Sequence, residues 1–196
     1  MKKALLCGIF ALFAWATASA QVLYESFEPQ NFTWPVLNGT MDQVVEAVAN
    51  PDATGVNTSA TVGKMVNNPA SDFTFALGST PTPPINLSVF SQIKMKVWSP
   101  VAGHQVLFKI EGGGKAVEEF KTIPVANQWV ELSFNLNCGV DHPALDKILL
   151  AFNPFTTVDP GLTYYFDDIR GVLPGDEKEN FEGAPQLTWE GLGSTF

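Results

Sequence analysis

IKMKVWSPVAGHQVLFKI, residues 93–110, holds two short runs in which every second residue is apolar: Ile93, Met95 and Val97, then Val106, Phe108 and Ile110. Successive side chains of an extended strand point to opposite faces, so this period of two predicts half-buried strands. Ser99-Pro100 supplies turn chemistry between them. The same alternation returns at Val130, Leu132, Phe134 and Leu136. Further turn signals follow at short spacing, in Glu111-Gly112-Gly113-Gly114-Lys115, Ala126-Asn127 and Asn153-Pro154. The glycine-rich stretch lacks Ser or Thr after its lysine and opens no helix, so it reads as a hairpin loop and not a phosphate cradle. Residues 41–50, MDQVVEAVAN, alternate at Val44, Glu46 and Val48 and read as a strand ended by Asn50-Pro51; residues 142–147, HPALDK, allow one helical turn. The pattern as a whole predicts an all-β fold, an antiparallel β-sandwich.

The two ends of the chain read differently. Residues 1–20 carry Lys2 and Lys3, an apolar run from Ala4 to Trp15 and Ala-Ser-Ala before Gln21, which predicts a secretory signal peptide and not a membrane span. Without its two lysines the chain has 9 basic against 20 acidic residues. Such a surface disfavours nucleic acid and anionic lipid. Cys138 is the one cysteine outside the signal, so an intramolecular disulfide is excluded and a packed core must supply the stability. At the other end, Glu179-Asn180-Phe181-Glu182 and Thr188-Trp189 repeat Glu25-Ser26-Phe27-Glu28 and Thr33-Trp34. That offset of about one domain predicts a module over residues 21–171, a linker over 172–178 and the start of a second, truncated repeat over 179–196. The recurrence of Trp34 at Trp189 suggests packing between repeats.

One series of segments carries a family likeness: NPDATGVNTS (50–59), PINLS (84–88), IKMKVWSP (93–100), VLFKIEG (106–112), WVELSFNL (129–136), KILLAFNP (147–154) and YYFDDIRG (164–171). In order and spacing it resembles the secreted carbohydrate-binding-like modules of Bacteroidetes, which are similar to the galactose-binding-like β-jelly-roll superfamily. The resemblance implies a β-sandwich of jelly-roll type beside a glycoside hydrolase or a cell-surface sorting domain. Where such modules often place a tryptophan before the PIDLS-like segment, this chain has Phe73 and Phe75. The resemblance also implies a structural calcium ion where the first strand meets the last, with Glu28 and Asp168 at the matching positions and Asp167 and Glu25 as substitutes. Asn50 has a carbonyl to lend such an ion, although NPDATGVNTS reads first as turn chemistry.

Asp167 and Asp168 close the aromatic run of LTYYFDDI, residues 162–169. Ile169 needs the core as much as Phe166 does, so a bulge is expected at the aspartates. Glycosidase carboxylates flank a scissile bond about 5–9.5 Å apart, which neighbours on one strand do not readily satisfy. A calcium site or solvated strand-end acids are the competing readings. No metalloprotease, paired-cysteine zinc or nucleophile-elbow motif is present, so no enzyme is expected.

For glycan binding, a pyranose stacks its CH face on an exposed ring and directs its hydroxyls to polar side chains. If Met95 and Val97 face the core, Lys96 and Trp98 share the outer face, as do Lys109 on its strand and Trp129 and Glu131 on theirs. Should those faces belong to one sheet, Trp98, Trp129, Lys96, Lys109 and Glu131 form a binding surface. The competing reading is tryptophans packed under a loop and charges paired across strands. The function expected is a secreted, non-catalytic carbohydrate-binding module, its partner a polysaccharide or cell-surface glycan, with no membrane insertion. The alternative is a structural spacer repeat of a surface or adhesin protein.

Overall fold

Twelve strands appear in the computed structural model, which describes residues 21–31, 33–37, 43–71, 73–79, 84–136, 145–156 and 161–173. The expected signal, residues 142–144 of HPALDK and the expected second repeat lie outside the described residues; Leu145 forms an antiparallel bridge with Ile85, and Lys147 opens a strand. Among those described there is no helix, and none long and apolar enough to cross a membrane. The strands are β1 (Gln21–Glu25), β2 (Pro35–Leu37), β3 (Gln43–Val44), β4 (Glu46–Ala49), β5 (Thr61–Val66), β6 (Phe75–Ser79), β7 (Gln92–Trp98), β8 (Gln105–Gly112), β9 (Lys115–Thr122), β10 (Trp129–Asn135), β11 (Lys147–Phe152) and β12 (Thr163–Val172). All pair antiparallel. One sheet has the order β10-β7-β12-β5-β4 with β1 beside β12, and the other the order β3-β2-β6-β11-β8-β9. The chain is therefore an all-β antiparallel sandwich.

The core lies between the sheets and is built by the residues whose period of two marks the strands. Ile93, Met95, Val97, Phe134 and Phe166 from the first sheet meet Val106, Phe108, Ile110, Leu150 and Phe152 from the second, all fully buried. Phe108 and Phe134 touch across this gap with ring centroids 4.9 Å apart. The glycine-rich stretch is a hairpin: Gly112 pairs with Lys115, leaving Gly113 (φ 57°) and Gly114 (φ 76°) as its two-residue turn. Two left-handed residues match the twist of the flanking strands, and glycine adopts them without a Cβ penalty.

Three sequence expectations change in detail. The segment from Gln43 to Ala49 is extended, but it is split between sheets: β3 joins the second, β4 the first, and Val45 is buried at the crossing. Val172, read as the first linker residue, is the last residue of β12 and pairs with Gln21 and Gln92. Trp34 does not await a neighbouring repeat. It is fully buried in this sandwich, edge-on to Phe166 at 5.4 Å, with its indole N–H donated to Glu25 Oε2 at 3.1 Å. Glu25 Oε1 accepts the N–H groups of Ser26, Phe27 and Asn31. The E-x-F…T-W pattern is thus a folded corner in which one buried carboxylate organises the exit from β1.

Candidate functional site

β12 is the centre of the first sheet. Along one side, residues 165–167 and 170–172 pair with β7; along the other, residues 163–166 pair with β5 and residues 169–172 with β1. Where the partner changes, the register slips between Asp167 and Arg170 and Asp168 takes φ 48°, which is the bulge expected from Ile169. Ile169 reaches the core, and the two carboxylates part company. Asp168 turns to the surface and ion-pairs with Lys96. Asp167 is 0% exposed; its Oδ1 accepts the Asp168 N–H at 2.8 Å, while Oδ2 has no hydrogen-bond partner. Burial, with the Asp168 charge adding to it, pushes the Asp167 carboxyl up to about 6 against the opposing influence of Ser59 and Asn57. The pair does not form a catalytic dyad.

Register carries the other outward residues into rows. Trp129 lies opposite Trp98, Trp98 opposite Tyr165, Tyr165 opposite Lys64 and Lys64 opposite Glu46. Trp98 and Tyr165 meet edge to face with centroids 5.4 Å apart. In the next row Glu131 faces Lys96, and in the third Lys94 faces Arg170, which faces Leu23. Glu131 accepts both Arg170 Nη2 and, at 3.3 Å, Lys94 Nζ. Although burial alone would raise it, these two cations hold the Glu131 carboxyl below its ordinary value. A groove of about 340 Å³ opens beside them, lined by Gln21, Leu23, Lys96, Asp168 and Arg170.

Residues 50–60, which join β4 to β5, fold over part of this face. Asn50 Oδ1 accepts the Trp129 indole N–H at 3.0 Å and the Asp52 N–H at 2.9 Å, and Asn50 Nδ2 donates to Ser59 O at 2.9 Å. Trp129 is consequently only 6% exposed. Trp98 is half-buried.

Of the five expected ligand-binding residues, Trp98, Trp129, Lys96 and Glu131 share one outer face, whereas Lys109 does not. Lys109 belongs to β8 in the second sheet, opposite Leu149 and Glu118, and is ion-paired with Glu111 at 3.1 Å. Alternation says which side of a strand a residue takes but not which sheet the strand joins. Tyr165, Lys94 and Arg170 complete the face. Lys94 follows from the same alternation as Lys96 and Trp98; the signal for Tyr165 and Arg170 was the phase of β12 with the bulge at Asp167-Asp168 counted in, once that strand is known to lie beside β7.

Three of the expected calcium ligands are held by protein donors in this arrangement. Glu28 Oε1 accepts the Thr61 N–H at 2.7 Å, Asp168 Oδ2 carries the Lys96 ammonium, and Asn50 Oδ1 is held by an indole and a backbone N–H. Of the two substitutes, Glu25 accepts four N–H groups, whereas Asp167 Oδ2 has no hydrogen-bond partner. No three His, Cys, Asp or Glu side chains form a metal-binding group among the described residues.

No protein-family model matches this chain, and no curated protein does. Solved structures do. A family 30 carbohydrate-binding module of a cellulosomal cellulase of Clostridium thermocellum is similar at 12% identity and a TM-score of 0.52, over 80% of this chain and 99% of that one. An exo-beta-agarase is similar at 15% identity and a TM-score of 0.55, over 80% of this chain and 26% of that one. SGBP-B from a complex xyloglucan utilization locus in Bacteroides uniformis is similar at 12% identity and a TM-score of 0.50, over 77% and 49%. At such identities the likeness is one of fold.

Proposed function

We propose that residues 21–171 form a secreted, non-catalytic glycan-binding module that holds an enzyme or a surface protein on polysaccharide. The observation that supports this most is the row of Trp129, Trp98 and Tyr165 across three adjacent strands, bordered by Lys96 and Glu131. A half-buried ring offers an apolar surface for a sugar's CH face, and flanking charges offer directed hydrogen bonds to its hydroxyls. Trp98 and Tyr165 are the stacking residues; Trp129 supports Trp98 from beneath the 50–60 loop. The structures of similar fold include modules of this class.

A second reading, a spacer repeat without a sugar ligand, draws on the near-complete burial of Trp129. Glycan-array and insoluble-polysaccharide pull-down assays on the protein and on Trp98→Ala decide between them. Binding module behaviour means specific retention that Trp98→Ala abolishes while its melting curve stays cooperative. Clean failure across plant, algal and microbial glycans transfers the weight to the spacer.

A further inference from the structure

Resting on the glycan-binding reading, we infer that the groove beside the aromatic row is a second sugar subsite, which takes a neutral unit and reads two adjacent free hydroxyls of it through Lys96 and Asp168. The charges around the groove are matched. Asp168 pairs with Lys96, and Glu131 with Arg170 and Lys94, while Asp167, buried opposite Lys96 and raised only to about 6, is ionised at neutral pH. Lys94, Lys96 and Arg170 thus stand against Asp167, Asp168 and Glu131, within a protein of formal net charge −9. Nothing in that balance attracts an anion, and an acidic substituent at Lys96 would meet the Asp168 carboxylate. A hydroxyl carries no charge and both donates and accepts. An ammonium has three donors and a carboxylate about four acceptor positions, so a Lys–Asp pair keeps capacity on both sides after it has formed. Two adjacent ring hydroxyls stand about as far apart as the two atoms of an ion pair, so one can accept from Lys96 Nζ while the other donates to Asp168.

The groove supplies the rest of a subsite. Leu23, 47% exposed and opposite Arg170, forms an apolar wall for the CH face of the sugar, and Gln21 adds an amide. A volume of about 340 Å³ lies at the small end of ligand pockets, suited to a sugar residue. Lys96 stands two residues from Trp98 on the same strand face, about 7 Å along β7. A unit in the groove is therefore within reach of a neighbouring unit stacked on Trp98, and one chain spans both. The specificity that follows is positional. Glycans linked 1,4 or 1,6 keep hydroxyls 2 and 3 free and adjacent in every unit, whereas the internal units of a 1,3-linked glucan or galactan have no adjacent pair.

The test is calorimetric titration of the protein with cello-, manno-, galacto-, xylo- and isomaltotetraose, each against its 2,3-di-O-methyl form, and with cellotetraose against its C6-oxidised, acidic form. The expected result is that a neutral tetraose binds about tenfold more tightly than its methylated twin, the worth of one charge-assisted hydrogen bond. Oxidation to the acid should add no affinity, and added salt should leave the binding of the neutral tetraose level, since no ion pair forms with it. Asp168→Asn and Lys96→Gln should bring the ratio of parent to methylated affinity toward one, and Lys109→Ala on the other sheet should leave it intact. Leu23→Ala should weaken the parent tetraose with no change in the melting curve, because Leu23 is exposed; it keeps the test decisive if a charge variant misfolds. A methylated tetraose that binds as well as its parent, or panel retention of anionic or 1,3-linked glycans alone, overturns the inference and leaves glycan binding standing. Silence toward the tetraoses and the glycan panel alike overturns both readings.

Discussion

Beneath the 50–60 loop, burial sets the Asp167 carboxyl at about 6, above its ordinary 3.8. Between those two values the folded protein holds a proton that the unfolded chain has released. Stability from this group is therefore greatest below about 4, falls as pH rises to about 6, and is level above. A shift of about two units corresponds to roughly 3 kcal/mol. Asp167→Asn, which mimics the protonated acid, should melt higher than the parent at pH 7 and lose the decline between pH 4 and 6; an unchanged slope in thermal melts would refute the assignment. Glu25, also buried, accepts hydrogen bonds at both carboxylate oxygens. Glu25→Ala strips the acceptor from three backbone N–H groups and the Trp34 indole, so urea unfolding should show a loss of about 3 kcal/mol or more. The bulge was legible because Ile169 and Phe166 both demand the core. Which aspartate goes under was not, since that depends on a loop more than a hundred residues earlier in the chain, at Asn57 and Ser59.

Strands were legible wherever they divide core from surface, as β7, β8 and β10 do. Elements whose role comes from a distant partner were not. β9 lies at the edge of its sheet with only half-buried or exposed residues, so no apolar stripe marks it. The connection from β4 to β5 reads in sequence as a generic turn, yet Asn50 makes it a cover for Trp129. Asn50→Ala removes the acceptor of that indole and the amide that ties Ser59. If Trp129 stayed buried its N–H would be orphaned, at about 1–3 kcal/mol, so the loop should instead loosen and let water in. Tryptophan emission should then shift to the red with greater acrylamide quenching, and the same change in a Trp129→Phe background should vanish. Persistence of the shift there would place its source at another indole.

At the level of the whole molecule, an alternating pattern defines two layers without saying which strands share one. That missing piece separated Lys109 from Lys96, and it was supplied only by pairing: β8 goes to β11 and β9, β7 to β10 and β12. The resulting faces differ in kind. The first sheet turns outward its aromatic row and ion-paired charges. The second turns outward Leu107, Leu149 and Ala151 beneath Phe73, Phe75 and Leu77, with Phe155 stacked parallel on Phe73 at 5.0 Å. Phe73 and Phe75 thus serve this back layer and not the candidate site. Between the layers, stability rests on apolar burial, and Glu28, Asn50 and Asp168 are each bound to protein donors. An ion that binds only the folded state raises its melting temperature by mass action. With these three acceptors already held by protein donors, excess chelator should leave the melting temperature unchanged whether or not calcium was added beforehand. A lower value after chelation, with metal analysis showing calcium lost, would mean that the Lys96–Asp168 pair opens and the three acceptors regroup around the ion.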